Sequence, residues 1–159
     1  MNVRTVLAIG FTTASLVAGA GFLAPPAQAS AQACSGSGCD GKNPNTYCGS
    51  DARTVESLRI AYSGAPSGVG PLLELRYSPA CRAAWARISD AGWSSGDAYQ
   101  PSAKVIRNGD GRTYTCYVPV GATSCYTSMV NDANVTSYAW GSYDSGAWTA
   151  QGRTGSYFR

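Results

Sequence analysis

The chain has 159 residues, 13% of them charged, a formal net charge of +3, six cysteines and no histidine. That length suits one domain and leaves no room for a second sizeable core. Without histidine there is no Ser-His-Asp or Cys-His catalytic couple, no His-based zinc site and no imidazole pH switch.

Residues 1–29 read as a signal peptide. Arg4 supplies the positive start, the run from Val6 to Leu23 is largely apolar, and Pro25-Pro26-Ala27-Gln28-Ala29 ends in the small-residue pattern that signal peptidase cuts after. An uncleaved anchor is the competing reading, and the Ala-x-Ala exit favours cleavage. The protein is therefore expected to be secreted and extracellular, with no membrane contact after cleavage. A later cut after Ala33 would expose Cys34 for lipidation but strand one of the other five cysteines, whereas an even count argues for full pairing. Removing the leader takes away Arg4 and leaves 11 basic against 9 acidic residues. The basic residues lie scattered between Lys42 and Arg159 with no run of three, so no nucleic-acid partner is expected.

Six cysteines in an exported chain point to three disulfides. Loop length ranks Cys34 with Cys39, across Ser-Gly-Ser-Gly, and Cys116 with Cys125, across a Val118-Pro119-Val120-Gly121 turn; Cys48 and Cys81 remain. Closing a loop of the size between Cys48 and Cys81 stabilises by about 3–4 kcal/mol in the chain-entropy model. No Cys-x-x-Cys is present, and neither a metal nor a cofactor is expected.

Residues 30–50 are rich in Gly, Ser, Asn and Asp and predict an irregular arm held by its cysteines; residues 51–159 follow as one β-rich domain. Thr54 to Tyr62 is readable either as a strand, through the alternation of Leu58 and Ile60, or as a helix with Ala52, Val55, Glu56 and Arg59 on one face, and the strand is favoured narrowly; Ser63 to Pro71 reads as a loop. Leu73, Leu75 and Tyr77 alternate with Glu74 and Arg76, the pattern of a half-buried strand. Ser78-Pro79 then resembles a helix N-cap followed by proline at the first turn, and Cys81, Ala84, Trp85 and Ile88 recur at helical spacing. A short helix over about 79–88, with Trp85 facing inward beside Cys81 and Ile88, is expected.

Further strands are predicted over Ala103–Arg107, Arg112–Val118, Tyr126–Val130 and Val135–Trp140. Asn108-Gly109-Asp110-Gly111 joins the first two as a hairpin turn, because Asn and Gly accept positive φ. A calcium reading of Asn108 and Asp110 lacks the further acidic ligands such a loop needs. The segment 133–159 is aromatic and would fit a hairpin through Asp144-Ser145-Gly146; Asn134-Val135-Thr136 matches a glycosylation acceptor. The expected fold is mainly β, a small disulfide-stapled antiparallel barrel or sandwich with one short helix.

Several blocks in order carry a family resemblance: Cys34-Ser-Gly-Ser-Gly-Cys39-Asp-Gly-Lys-Asn-Pro44, Cys48 with Asp51-Ala52 and Thr54-Val55, the central Leu75-Arg76-Tyr77-Ser78-Pro79-Ala80-Cys81-Arg82-Ala83-Ala84-Trp85-Ala86-Arg87-Ile88, and Tyr126-Thr127-Ser128-Met129-Val130-Asn131-Asp132. This order resembles the YjfA-like family of small secreted Gram-positive proteins, most often actinobacterial. The resemblance implies an exported β-rich domain of unassigned function and brings no catalytic residues. Residues 133–159 and the Ser63–Pro71 loop fall outside it.

Three function classes remain. A carboxylate hydrolase would need Glu56 and Glu74, the only glutamates, to face one another across a cleft. Lys42 and Lys104 lack the desolvated setting of a nucleophile, and no set of nucleophile, base and orienting group is apparent, so no catalytic residues are assigned. An inhibitor of an extracellular protease or lysozyme would present Ser63–Pro71, although its glycines work against preorganisation. The favoured reading is a secreted, monomeric, non-catalytic binding protein whose partner is cell-wall polysaccharide or a secreted protein, with Trp140, Tyr143 and Trp148 as the candidate ligand surface.

Overall fold

In the computed structural model, residues 34–61, 70–96, 99–144 and 149–158 are described. The leader at 1–29, residues 62–69, which include most of the Ser63–Pro71 loop, residues 145 and 146 of the expected Asp144-Ser145-Gly146 hairpin, and Trp148 lie outside them. The strand pattern builds two antiparallel sheets. Sheet A holds β1 (Arg53–Arg59), β2 (Leu72–Ser78), β3 (Ala83–Ser89), and the two-residue strands β6 (Cys125–Tyr126) and β7 (Val130–Asn131), both paired to β3. Sheet B holds β4 (Ser102–Arg107), β5 (Thr113–Tyr117), β8 (Thr136–Asp144), β9 (Thr149–Arg153) and β10 (Tyr157–Phe158), with β8 at its centre. The sheets pack face to face as a sandwich rather than closing into a barrel, β3 lying against β4 and β8.

Alternation decides which side chains fill the space between the sheets. Leu73, Leu75 and Tyr77 of β2 and Ala84, Ala86 and Ile88 of β3 meet Ala103, Val105, Ala139 and Ala150 from sheet B in one buried cluster. On sheet B two glycines stand opposite each other, Gly141 on β8 and Gly152 on β9. A Cβ at Gly141 would come within 3.0 Å of the Ile60 and Leu73 δ-methyls, and one at Gly152 within 2.8 Å of Leu58. The large aliphatics of sheet A thus occupy the space that this glycine pair leaves. Tyr157 seals one end, its ring 5.2 Å from that of Tyr77.

The helix expected over 79–88 is a hairpin and a strand. Ser78 does act as a cap, its Oγ accepting the Cys81 N–H at 3.1 Å, but the bond closes the four-residue turn between Ser78 and Ala83. Arg82, at φ +50°, completes the turn. β3 then buries both faces, with Ala84, Ala86 and Ile88 toward the main core and Ala83 and Trp85 toward a second cluster with Cys39, Cys48, Cys81 and Met129. A strand buried on both sides reads as a continuous apolar run, and such a run also satisfies helical spacing. Trp85 is therefore buried beside Cys81 but faces away from Ile88. The short helix lies instead at α1 (Pro44–Tyr47), where the Asn43 side chain accepts the Asn45 N–H and proline occupies the first turn.

The arm is more ordered than its composition implies. Besides α1 it forms 3-10 turns at Gly36–Cys39 and Gly49–Asp51 and lies across the outer face of sheet A. All six cysteines are paired, 34 with 39, 48 with 81 and 116 with 125. Polar contacts hold the arm as well. Asp51 accepts the Ser78 hydroxyl and the Ala80 N–H, and these bonds overcome burial to keep its carboxyl below the ordinary range. Asp40 accepts the Asn131 N–H at 2.6 Å and pairs at 3.1 Å with Arg107 of sheet B.

The strand expected over Tyr126–Val130 is interrupted, because Thr127 Oγ1 accepts the Ala86 N–H and displaces one ladder bond. The Asn108–Gly111 turn forms as expected, with Gly111 at φ +70°. Asp110 is occupied there by Arg107 and by the Arg112 N–H. Adding side-chain volume at Gly141 (Gly141→Val) is expected to lower unfolding free energy by about 1–3 kcal/mol through overpacking against Ile60 and Leu73. Urea unfolding measures this, and an unchanged midpoint would contradict the close approach of the sheets.

Candidate functional site

The outer face of sheet B follows from its register. Lys104 lies opposite Trp140, Trp140 opposite Arg153, Ser102 opposite both Tyr117 and Ser142, and Ser142 opposite Gln151. One face therefore carries a grid of alternating rings, cations and short polar groups. Lys104 Nζ sits 4.6 Å from the Trp140 ring centre, and the Arg153 guanidinium 3.8 Å from that of Tyr138. These cation–π contacts fix the two rings on the sheet and contribute about 0.5–1 kcal/mol each at exposed sites.

At one end of this grid an open groove of about 370 Å³ is lined by Tyr99, Gln100, Tyr117, Trp140, Tyr143, Asp144 and Gln151, among others. Tyr99 is 65% and Tyr117 58% exposed, unusual for large rings in a small domain. The groove floor is organised by hydrogen bonds: Ser102 Oγ to Ser142 Oγ at 2.9 Å, Gln100 to the Val118 carbonyl, and the Thr149 hydroxyl to Asp144.

Of the three aromatic residues expected to form a surface, two meet at this groove. Trp140 is half-buried on the outer face. Tyr143 shares the parity of Ala139 and Gly141 and packs against the core, so it contributes a rim. Trp148 lies outside the described residues. Sequence reasoning missed Tyr99 and Tyr117. Tyr117 was within reach, since its neighbour Cys116 is committed to a disulfide and alternation then places Tyr117 outward.

The two glutamates lie on opposite faces of sheet A. Glu56 stands opposite Leu75, which faces the core, and reaches toward Gly155, whereas Glu74 lies on the outer face. They do not share a cleft, so the two-carboxylate hydrolase has no geometric basis. Lys42 lies 4.8 Å from the Tyr47 ring and Lys104 covers Trp140, so both amines serve ring contacts.

The small two-sheet sandwich, braced by three disulfides and bearing a polar-aromatic groove on one outer face, defines a class of disulfide-stapled β-sandwich domain. Residues 37–140 match the family described as "Protein of unknown function (DUF2690)", and the chain belongs to that family. It is 36% identical over 128 residues to the uncharacterized protein YjfA of Bacillus subtilis (strain 168), covering 74% of this chain and 79% of the relative. No solved structure matches it. The family match covers most of the arm, sheet A, and β4, β5 and the first half of β8 of sheet B, and ends at Trp140, so Tyr143, Asp144 and Gln151 of the groove lie beyond it.

One titratable group is chemically unusual. Asp132 is fully buried, and neither carboxyl oxygen has a hydrogen-bond partner among the described residues. Burial pushes its carboxyl up to about 6, and the neighbouring Ser137 hydroxyl offsets this in part without forming a well-aligned bond. Folded Asp132 therefore retains a proton between about pH 4 and pH 6 that the unfolded chain has released, so this group makes stability fall as pH rises through that window. A shift of this size corresponds to about 3 kcal/mol. The lowered carboxyls of Asp51 and Asp110 act oppositely, their contributions being lost as pH falls below the ordinary carboxylate range. Asp132→Asn is expected to remove the decline across this window in urea-unfolding profiles; parallel profiles for variant and parent would contradict it.

Proposed function

We propose that the protein is a secreted, non-catalytic binding module that engages a polysaccharide of the cell envelope or medium through the groove on sheet B. The observation that carries this reading is the pair of exposed tyrosines beside Trp140, set among amide, hydroxyl and carboxylate side chains on a rigid sheet. Rings of this kind stack on the apolar faces of sugars, while the polar groups meet hydroxyls. Placement of Tyr117 and Trp140 on strands β5 and β8 keeps those two rings ordered before ligand arrives, which reduces the entropy lost on binding.

Export is supported by the three disulfides, which persist in oxidising compartments, together with the leader-like first 29 residues. The inhibitor alternative draws no support from the fold, because residues 62–69 of the loop on which it depends are outside the described residues.

Retention on insoluble peptidoglycan, chitin and cellulose tests the proposal. The parent is expected to be retained on at least one of them, and Trp140→Ala with Tyr117→Ala to weaken that retention by about tenfold, the loss of one or two ring contacts. Equal retention of parent and double variant, or no retention on any of the three, would overturn the polysaccharide reading.

A further inference from the structure

The opposite outer face, on sheet A, carries a second and chemically different pocket. Register places Thr54, Arg76 and Trp85 in one cross-strand row and Glu74, Arg87 and Tyr126 in the next. Alternation turns these side chains away from the main core. The Cys48–Cys81 disulfide then holds the arm over one side of the rows. A pocket of about 300 Å³ results, walled by Asn45, Gly49 and Ala52 of the arm, with Trp85 as its floor and the two arginines and Tyr126 along its side.

The charges in this pocket are arranged rather than scattered. Thr54 donates to Glu74 at 2.6 Å, and Arg76 donates to Thr54 at 2.9 Å, so Glu74 and Arg76 are fixed through one hydroxyl. Glu74 is nearly buried and stands 3.7 Å from both Arg76 Nη1 and Arg87 Nε. Arg87 thus presents its Nε edge to Glu74, and its two terminal nitrogens have no hydrogen-bond partner among the described residues. One carboxylate between two guanidinium groups leaves a single net positive charge, and the fork without a partner is the one whose side chain is 46% exposed. A planar guanidinium with two free N–H groups matches a carboxylate in bidentate geometry.

We propose that this pocket binds a sugar residue bearing a carboxylate, a uronic-acid-type saccharide, with Arg87 as the anion contact and Arg76 as the second, prepositioned cation. The single net charge matches a monoanion. The other groups around it, the Asn45 amide and the Ser124 and Tyr126 hydroxyls, suit ring hydroxyls; a peptide C-terminus would call for an apolar socket beside the carboxylate, and Trp85 and Ala52 offer little of one. All of these residues lie between 45 and 126, inside the span that matches the family. The site is separate from the groove on sheet B, and Trp140 plays no part in it.

Isothermal titration of the full secreted chain with tetragalacturonic acid tests the proposal, with a neutral galactose oligomer and an acetylated dialanine as controls. Binding of the acidic oligomer alone is expected. Arg87→Ala is expected to weaken it by about tenfold or more, as loss of a charged hydrogen-bonding partner does. Arg87→Lys should fall between, because a point charge replaces the bidentate fork. Trp140→Ala should bind as the parent does, so this site and the groove fail independently. Since the Arg87 side chain is half-exposed, the thermal midpoint of Arg87→Ala should match that of the parent. Equal binding of acidic and neutral oligomers, unchanged affinity in Arg87→Ala, preference for the dipeptide, or no binding of the acidic oligomer would each overturn the proposal.

Discussion

The Cys48–Cys81 bridge determines what the outer face of sheet A is. Without it, Trp85 and Ala83 on β3 would be an apolar stripe facing water, and the segment from Cys34 to Ala52 would be a polar tail. With it, Cys81 at the tip of the β2–β3 hairpin draws the arm onto the sheet. A second small core of Trp85, Met129 and three cysteines forms beneath. The same covalent constraint raises the wall of the pocket that contains Arg87. One cross-link thus converts a two-layer sandwich into a partly three-layer one on a single side.

Around that link the arm is held by directional polar contacts at both ends. Asp51 caps the hairpin tip, and Asp40 joins β7 to Arg107 of sheet B. Arg107 is nearly buried between Asp40 and Asp110; its hydrogen bond to Asp110, assisted by Asp40, outweighs burial and strengthens its hold on the proton. Breaking one partner of such a set leaves a buried charge without compensation, which costs more than the pair contributes. The Asp40–Arg107 contact also spans the two sheets, so the arm acts as a strap as well as a cover. Asp132 is the counterexample, a buried carboxyl without such partners among the described residues.

The sequence disclosed the sheets better than it disclosed their environment. Alternation located β1 and β2, β-like runs flanking turn residues located β4, β5 and the first part of β8, and loop length ranked the disulfide partners as the structure pairs them. Over Ala83–Ser89 both faces are covered, one by sheet B and one by the arm, and the period-2 signal vanished into an apolar run with helical spacing. Ser78 gave a correct local cue, a side chain capping an N–H three residues on, but a hairpin turn uses that bond as readily as a helix does. The groove was readable through Trp140. Tyr99 was not, because it stands outside any strand and alternation does not reach it. The Arg87 pocket was least readable of all, since it requires residues from the arm, three strands and the segment before β6 to meet, through long-range strand pairing and the Cys48–Cys81 bridge.

The most direct test of this account is the unfolding free energy of the double variant Cys48→Ala with Cys81→Ala, compared with the parent by urea denaturation under non-reducing conditions. Release of the loop, with exposure of the second core, is expected to cost at least about 3–4 kcal/mol. A double variant as stable as the parent would show that the arm is an appendage and that the fold does not depend on the bridge.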